Sequence, residues 1–321
     1  MLRFRVITDS EECREAWKRA IPEELITDLW EVRECFQRHF QRPAHFIVAE
    51  AAGGIGGLLP LSWIEESLCY GYFPGETWEN KTWLEQNRIP ICGDGVLEDL
   101  LSHCPRPYHL RYLLPIESIA ESDQVVDETG YLFFPAHYDY DIENYFQQFS
   151  HRSSKKMKRE LAAIEDRGVR CRRDDTGDFE HLVRLNMSRF GTSSYFHDRR
   201  FLEGFRSLME FLNDRGWLRM TTLLVGDEPA AVDMGCVYRG AYTLLGGGTH
   251  DGYLGVAKLI NVHHMRRACE ERLDLVDFLC GDFSWKNLFH LTPRPLYLLS
   301  NHVVEPRHPD GLEARRPARV E

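Results

Sequence analysis

Residues 226–289 read GDEPAAVDMGCVYRGAYTLLGGGTHDGYLGVAKLINVHHMRRACEERLDLVDFLCGDFSWKNLF. Pro229–Tyr238 is a small, apolar, strand-like run, Arg239-Gly240 a turn, and Ala241–Gly248 a second strand. The loop Thr249–Gly255 leads into a helix-like run, Val256–Arg272. A short apolar strand, Leu275–Leu279, and the segment Gly281–Asn287 complete the block. This order sets a glycine-bearing loop at a helix N-terminus, beside a strand pair. Unpaired backbone N–H groups at such a place can hold a pyrophosphate.

Upstream, Gly226–Pro229 makes the turn out of another strand, Trp217–Val225. Before it, Ser153–Arg167, Asp178–Phe190 and Arg199–Arg215 are helix-like, and Gly168–Arg173 is a strand. Nearer the N-terminus, Glu11–Ala20 and Glu24–Phe40 are helix-like, the second with Leu25, Leu29, Val32 and Phe36 at helical spacing. Ala44–Ala51 and Ile55–Ile64 are strands joined at Gly53-Gly54. Residues 71–107, rich in Gly, Pro and Trp, hold short helices at best, and Tyr108–Leu114 and Tyr131–Phe134 are further strands. Asp141 starts a helix ending near Ser150, Leu296–Val304 is a closing strand, and the polar residues after Glu305 form a flexible tail. The two halves echo each other: Phe46–Pro60 parallels Leu223–Gly235. The expected domains are 1–150, 151–304 and the tail 305–321, two related α/β units side by side.

The chain has 321 residues, 43% hydrophobic and 28% charged, as a globular protein of two ordinary domains would. Its formal net charge of −11 disfavours nucleic acid as the main partner. No apolar run approaches the ~18–20 residues of a membrane span. The N-terminus, MLRFRVI, reads as a strand with no signal-peptide core behind it, so a cytoplasmic location is expected. The nine cysteines are scattered without a Cys-x-x-Cys pair, as buried free thiols would be, and no spacing supports a metal site.

Several segments together resemble the BioF2-like acetyltransferases, relatives of the FemAB peptidyltransferases within the GNAT superfamily. They are Val225–Ala231, Asp251–Leu259, Asp277–Lys286, the Ser/Lys/Arg-rich Ser150–Leu161, and the early strand pair Ile47–Leu61. Gly255 and Ala257 match the Gly-x-Ala end of the GNAT pyrophosphate loop, while the Arg or Gln that usually opens that loop is replaced by Gly252. The resemblance implies two GNAT-like units with mixed, mostly antiparallel sheets flanked by helices. It implies an acyltransferase that moves an acyl group from acetyl-CoA or another acyl-CoA to an amine or hydroxyl by direct attack, without a metal. The acceptor would be a small molecule or a cell-envelope precursor. Two alternatives stand beside it: FemAB-type aminoacyl transfer from aminoacyl-tRNA to a cell-wall or lipid precursor, and a non-catalytic binding module, for which Gly252 speaks.

On this reading Gly255, Val256, Ala257 and Lys258 hold the donor's pyrophosphate. Asp282 or Asp233 assists deprotonation, and Lys286 steadies substrate or transition state. Asp233 interrupts an apolar strand, which suits either a base or a buried hydrogen bond, and Asp282 and Lys286 suit a structural salt bridge equally well. Between Arg152 and Arg173 nine Lys/Arg stand against three Asp/Glu, so Lys155 and Arg159 are candidates for an anionic ligand, or part of a solvated face. Tyr195 and Trp285 are candidate substrate contacts, and Tyr70–Gly75 with Trp78 can wall a cleft between the units. His250 is a competing base; His263-His264, lacking a third ligand, reads as structural.

Overall fold

The computed structural model describes residues 2–79, 82–105, 107–281, 286 and 288–302. The N-terminal part is a four-stranded antiparallel sheet in the order β1 (Arg3–Ile7), β2 (Ala44–Ala51), β3 (Gly54–Ile64), β4 (Cys69–Tyr72). Helix α1 (Ser10–Ala20) packs on it. Asp9 caps that helix, accepting the N–H groups of Glu11 and Glu12, and Lys18 and Arg19 lie in its last turn. Trp17, Trp30, Phe46 and Phe73 fill the core beneath.

The sequence pattern predicts one helix over Glu24–Phe40, but the structure breaks it. A short 3-10 turn, Ile26–Asp28, precedes α2 (Trp30–Phe40), with Leu29 extended between them. The buried Asp28 is the cause: its carboxylate accepts from the N–H groups of Glu24 and Leu25 and pairs with Arg88. These bonds hold the chain in a turn where the apolar spacing alone would continue a helix.

The second sheet has eight strands in the order β5 (His109–Leu113), β12 (Thr292–Ser300), β6 (Val125–Phe133), β11 (Leu275–Asp277), β10 (Ala241–Thr249), β9 (Glu228–Tyr238), β8 (Leu218–Val225), β7 (Val169–Arg173). Only β10 and β11 run parallel; the other neighbours are antiparallel. β5 and β6 precede residue 150 in the chain yet stand beside β11 and β12, so this sheet is built from both sides of that point. β6 is longer than its apolar end, Tyr131–Phe133, because Val125–Gly130 finds a ladder along β12.

Helices cover both faces. On one, α6 (Phe179–Phe190) and α7 (Arg199–Asp214) pack with α2, so the first unit leans on the second through Phe36, Phe201 and Phe205. On the other lie α4 (Ile142–Gln147), α5 (His151–Glu165) and α8 (Val256–Glu270). Helix α3 (Val96–Ser102) covers β3.

Candidate active site

β10 and β11 share a ladder only over Ala241–Thr243 and Leu275–Asp277. Beyond it β10 runs on to Thr249 along β9, while β11 has ended. The two strands therefore part, and β10 is bulged between Leu244 and Gly246 at the point of parting. A bulge there re-aims the strand's polar groups away from the regular ladder. Gly248 allows α6 to lie directly on the strand: a Cβ on it would stand 2.7 Å from the Leu182 carbonyl oxygen and 2.8 Å from the Leu185 Cβ. Asn186 of α6 donates to the Gly247 carbonyl at 2.8 Å, and Ser194 fixes that amide by donating to it at 2.7 Å.

The open end of β10 leads to the N-terminus of α8. Gly255 caps the helix at φ +89°, a left-handed conformation that favours glycine. Val256 donates its N–H to Tyr253 and Leu259 donates to Gly255. Among the described residues, no acceptor meets the N–H groups of Gly255, Ala257 or Lys258. Gly255 and Ala257 are exposed, whereas Val256 is buried and anchors the turn. The Lys258 ammonium is bound to Glu160 of α5, a pair that lowers the Glu160 pKa and fixes α5 beside the loop. Lys155 and Arg159 lie exposed one turn apart on α5.

Asp233 on β9 points toward α8 and is buried. Its carboxylate meets His264 Nε2 at 2.9 Å, and the His264 ring stacks on Tyr242 at 4.9 Å. The expected lone acid thus has an imidazole partner, supplied by a histidine that spacing alone marks only as structural. Tyr195 stands on the opposite face, stacked on Phe205 at 5.2 Å and edge-on to Trp78 at 6.1 Å. Burial raises its phenol pKa, and the Asp233 charge adds to the rise. Its hydroxyl lies 3.3 Å from the position a Cβ would take on Gly246, at the bulge. The contact with Trp78 ties this tyrosine to the first unit.

Lys286 is 2% exposed and holds the chain that leaves β11. Its ammonium donates to the carbonyls of Phe278 (3.0 Å), Leu279 (2.7 Å) and Cys280 (2.8 Å) and lies 5.3 Å from the Tyr131 ring centre. Burial lowers its pKa; Glu85 is the foremost of the charges opposing that. Asp282 and Trp285 lie outside the described residues.

Sequence reasoning missed Glu85, Gln86 and Asp277. Both Glu85 oxygens accept the Cys280 N–H, at 3.0 and 2.9 Å, and burial raises the carboxyl pKa. Gln86 donates to Asp277 at 2.7 Å, and Arg294 donates to the same oxygen at 2.9 Å. The trace of this in the sequence is a polar run, Glu85-Gln86-Asn87-Arg88, set between apolar Trp83-Leu84 and Ile89, together with Asp277 at the head of the segment Asp277–Lys286.

Residues 151–287 match the family model for the acetyltransferase (GNAT) domain, so this part of the chain carries a GNAT-type transferase domain. No curated protein matches the chain. Three solved structures share its fold over nearly the whole chain. FemX is 9% identical, with a TM-score of 0.56 over 92% of this chain and 96% of its own. L-PGS from Bacillus licheniformis is 11% identical, with a TM-score of 0.52 over 91% of each chain. A tandem GNAT protein from the clavulanic acid biosynthesis pathway is 12% identical, with a TM-score of 0.50 over 95% of this chain and 100% of its own. Among the described residues no cluster of His, Cys, Asp or Glu is arranged to hold a metal ion, and no helix is long and apolar enough to cross a membrane.

Proposed function

We propose that the protein transfers an acyl group from acetyl-CoA or a longer acyl-CoA to an amine or hydroxyl by direct attack. The observation that carries this is the parting of β10 from β11 directly upstream of a helix whose first N–H groups lack acceptors. Gly255, Val256 and Ala257 present those groups to the donor's pyrophosphate, with the helix dipole favouring the anion. Lys258 braces α5, and Lys155 and Arg159 on that helix attract the donor's outlying phosphate. Tyr195 borders the bulge. Lys286 fixes the loop after β11, and Asp282, and Trp285 with it, follow in the same segment. Asp233 with His264 supports the strand from below. The live site belongs to the 151–304 unit, the 1–150 unit supplies a wall of the cleft, and the protein works in the cytoplasm.

Titration calorimetry with acetyl-CoA and longer acyl-CoAs tests this. Micromolar binding is expected, and Ala257→Glu should weaken it at least tenfold, because a carboxylate then meets the diphosphate at an exposed position. Gly255→Glu should abolish it. A folded wild-type protein that gives no heat with any CoA ester would overturn the reading.

A second reading, aminoacyl transfer to a cell-envelope precursor, is favoured by the whole-chain likeness to FemX and L-PGS. It requires salt-sensitive binding of aminoacyl-tRNA by a chain of net charge −11. Binding of tRNA without binding of acyl-CoA would select it.

A further inference from the structure

Cys92 and Cys171 are exposed, against the expectation of buried thiols. Cys92 lies outside any helix or strand. Cys171 sits on β7, the edge strand of the larger sheet. Side chains alternate along a strand, so Cys171 and Arg173 share one face of it. His263 of α8 meets that face, with its Nε2 3.6 Å from the Cys171 Sγ, within hydrogen-bond reach of sulfur. Arg266 and Arg267 follow His263 at the i+3 and i+4 spacings that share a helix face. Burial, then the charges of His264, Arg173, Arg267 and Arg266, push the His263 imidazole down to about 3. The ring is therefore neutral near pH 7, and three arginines lie close enough for it to feel their charge.

Neighbouring cations are engaged elsewhere: Arg170 by Asp227, Arg172 by Asp178, and Arg267 by Glu271. Arg173 and Arg266 have no carboxylate partner among the described residues, and neither is buried. An exposed thiol thus shares one patch with a neutral imidazole and two unpaired guanidiniums. The patch is separate from the loop before α8. Cys171 is opposite Leu223, Leu223 opposite Ala231, and Ala231 opposite Thr249. Three strand spacings, about 14 Å, therefore separate it from the end of β10.

We propose that Cys171 is a modification site, thiolated by an anionic low-molecular-weight disulfide whose carboxylate or phosphate groups Arg173 and Arg266 receive. The planar guanidinium fork matches either anion. Exposed, electropositive surroundings are what separate reactive thiols from inert buried ones. A neutral imidazole accepts at one nitrogen and donates at the other, so His263 can hold the sulfur before and after it loses its proton. In the reaction the Cys171 thiol gives its proton to solvent, and its sulfur attacks one sulfur of the disulfide. A new S–S bond forms as the old one breaks. The departing sulfur leaves with that electron pair and takes up a proton. Cys171 is oxidised to a mixed disulfide, and the other half of the reagent is reduced to a thiol.

The test exposes the folded full chain to glutathione disulfide, which bears carboxylates, to CoA disulfide, which bears phosphates, and to cystamine, which is cationic. Peptide mass mapping follows each adduct with time, and every Cys171 rate is divided by the Cys92 rate in the same sample. With the anionic disulfides this ratio should be at least about tenfold. It should be near unity with cystamine, and fall toward unity in about 1 M salt, where charges are screened beyond ~3 Å. A larger ratio with glutathione disulfide than with CoA disulfide supports a carboxylate-bearing partner, and the reverse a phosphate-bearing one. Arg173→Gln with Arg266→Gln should remove the preference for anionic reagents. His263→Asn, with its fold checked by circular dichroism, should slow Cys171 with all three reagents. A ratio near unity with both anionic disulfides would overturn the proposal. So would a ratio that cystamine matches, or one that survives the loss of both arginines.

Discussion

Glu76 lies 1% exposed in the segment after β4 that also carries Glu85, and accepts the N–H groups of Trp83 and Leu84. Burial pushes its pKa up to about 7, against the pull of those N–H groups and of Arg33. A carboxyl whose folded pKa is raised stabilises the fold while protonated. That stability is full below the unfolded value of 4.5 and is lost as pH rises through about 7. The shift corresponds to about 3 kcal/mol. Glu76→Gln keeps an acceptor for both N–H groups and does not titrate. Its urea-unfolding free energy should therefore fall less steeply than wild type between pH 4.5 and 7, by about that amount in total. Equal slopes would show that Glu76 does not hold this proton. Such residues were invisible in the sequence for a physical reason. Glu85 and its partner Cys280 are 195 positions apart, and no periodicity or motif links them. Asp233 was legible as a carboxylate in an apolar strand, but its partner was not, since His264 faces it from a helix on another layer.

At the scale of elements, β8, β9, β10 and α8 were legible because each declares itself locally: apolar runs, turns at Gly226-Asp227 and Arg239-Gly240, and a capping glycine at 255. The parting of β10 from β11 was not, because it depends on β11 ending at Asp277 and turning toward Lys286 and Glu85. The Gly246–Gly248 run in β10 reads as a weak strand by propensity, and packing explains it. Gly248 lies against backbone atoms of α6, which cannot swing aside as a side chain can. Gly248→Ala should therefore displace α6 and cost about 2 kcal/mol of stability. It should also weaken donor binding, since Asn186, on that helix, holds the Gly247 carbonyl. A variant with wild-type urea midpoint and wild-type acetyl-CoA affinity would show that α6 yields freely.

At the scale of the whole molecule, the echo between the halves was legible, while the exchange between them was not. β5 and β6 come from the first half of the chain but complete the larger sheet, where β6 separates β11 from β12. A fragment of residues 151–302 would keep α8 and β10 yet leave both edges once covered by β6 unpaired, at Val276-Asp277 and along Thr292–Leu298. Unpaired ladder groups and exposed apolar β-faces favour association over folding. The same fragment would expose the face of α7 that α2 covers, where Phe201 and Phe205 meet Phe36. We expect it to melt without cooperativity in circular dichroism and to bind a hydrophobic dye, whereas residues 1–302 should unfold in a single cooperative step. A cooperative transition for 151–302 within a few degrees of the longer chain would show that the second unit closes its own sheet. It would then follow that the segment with Glu85 is an addition to a finished site and not one of its walls.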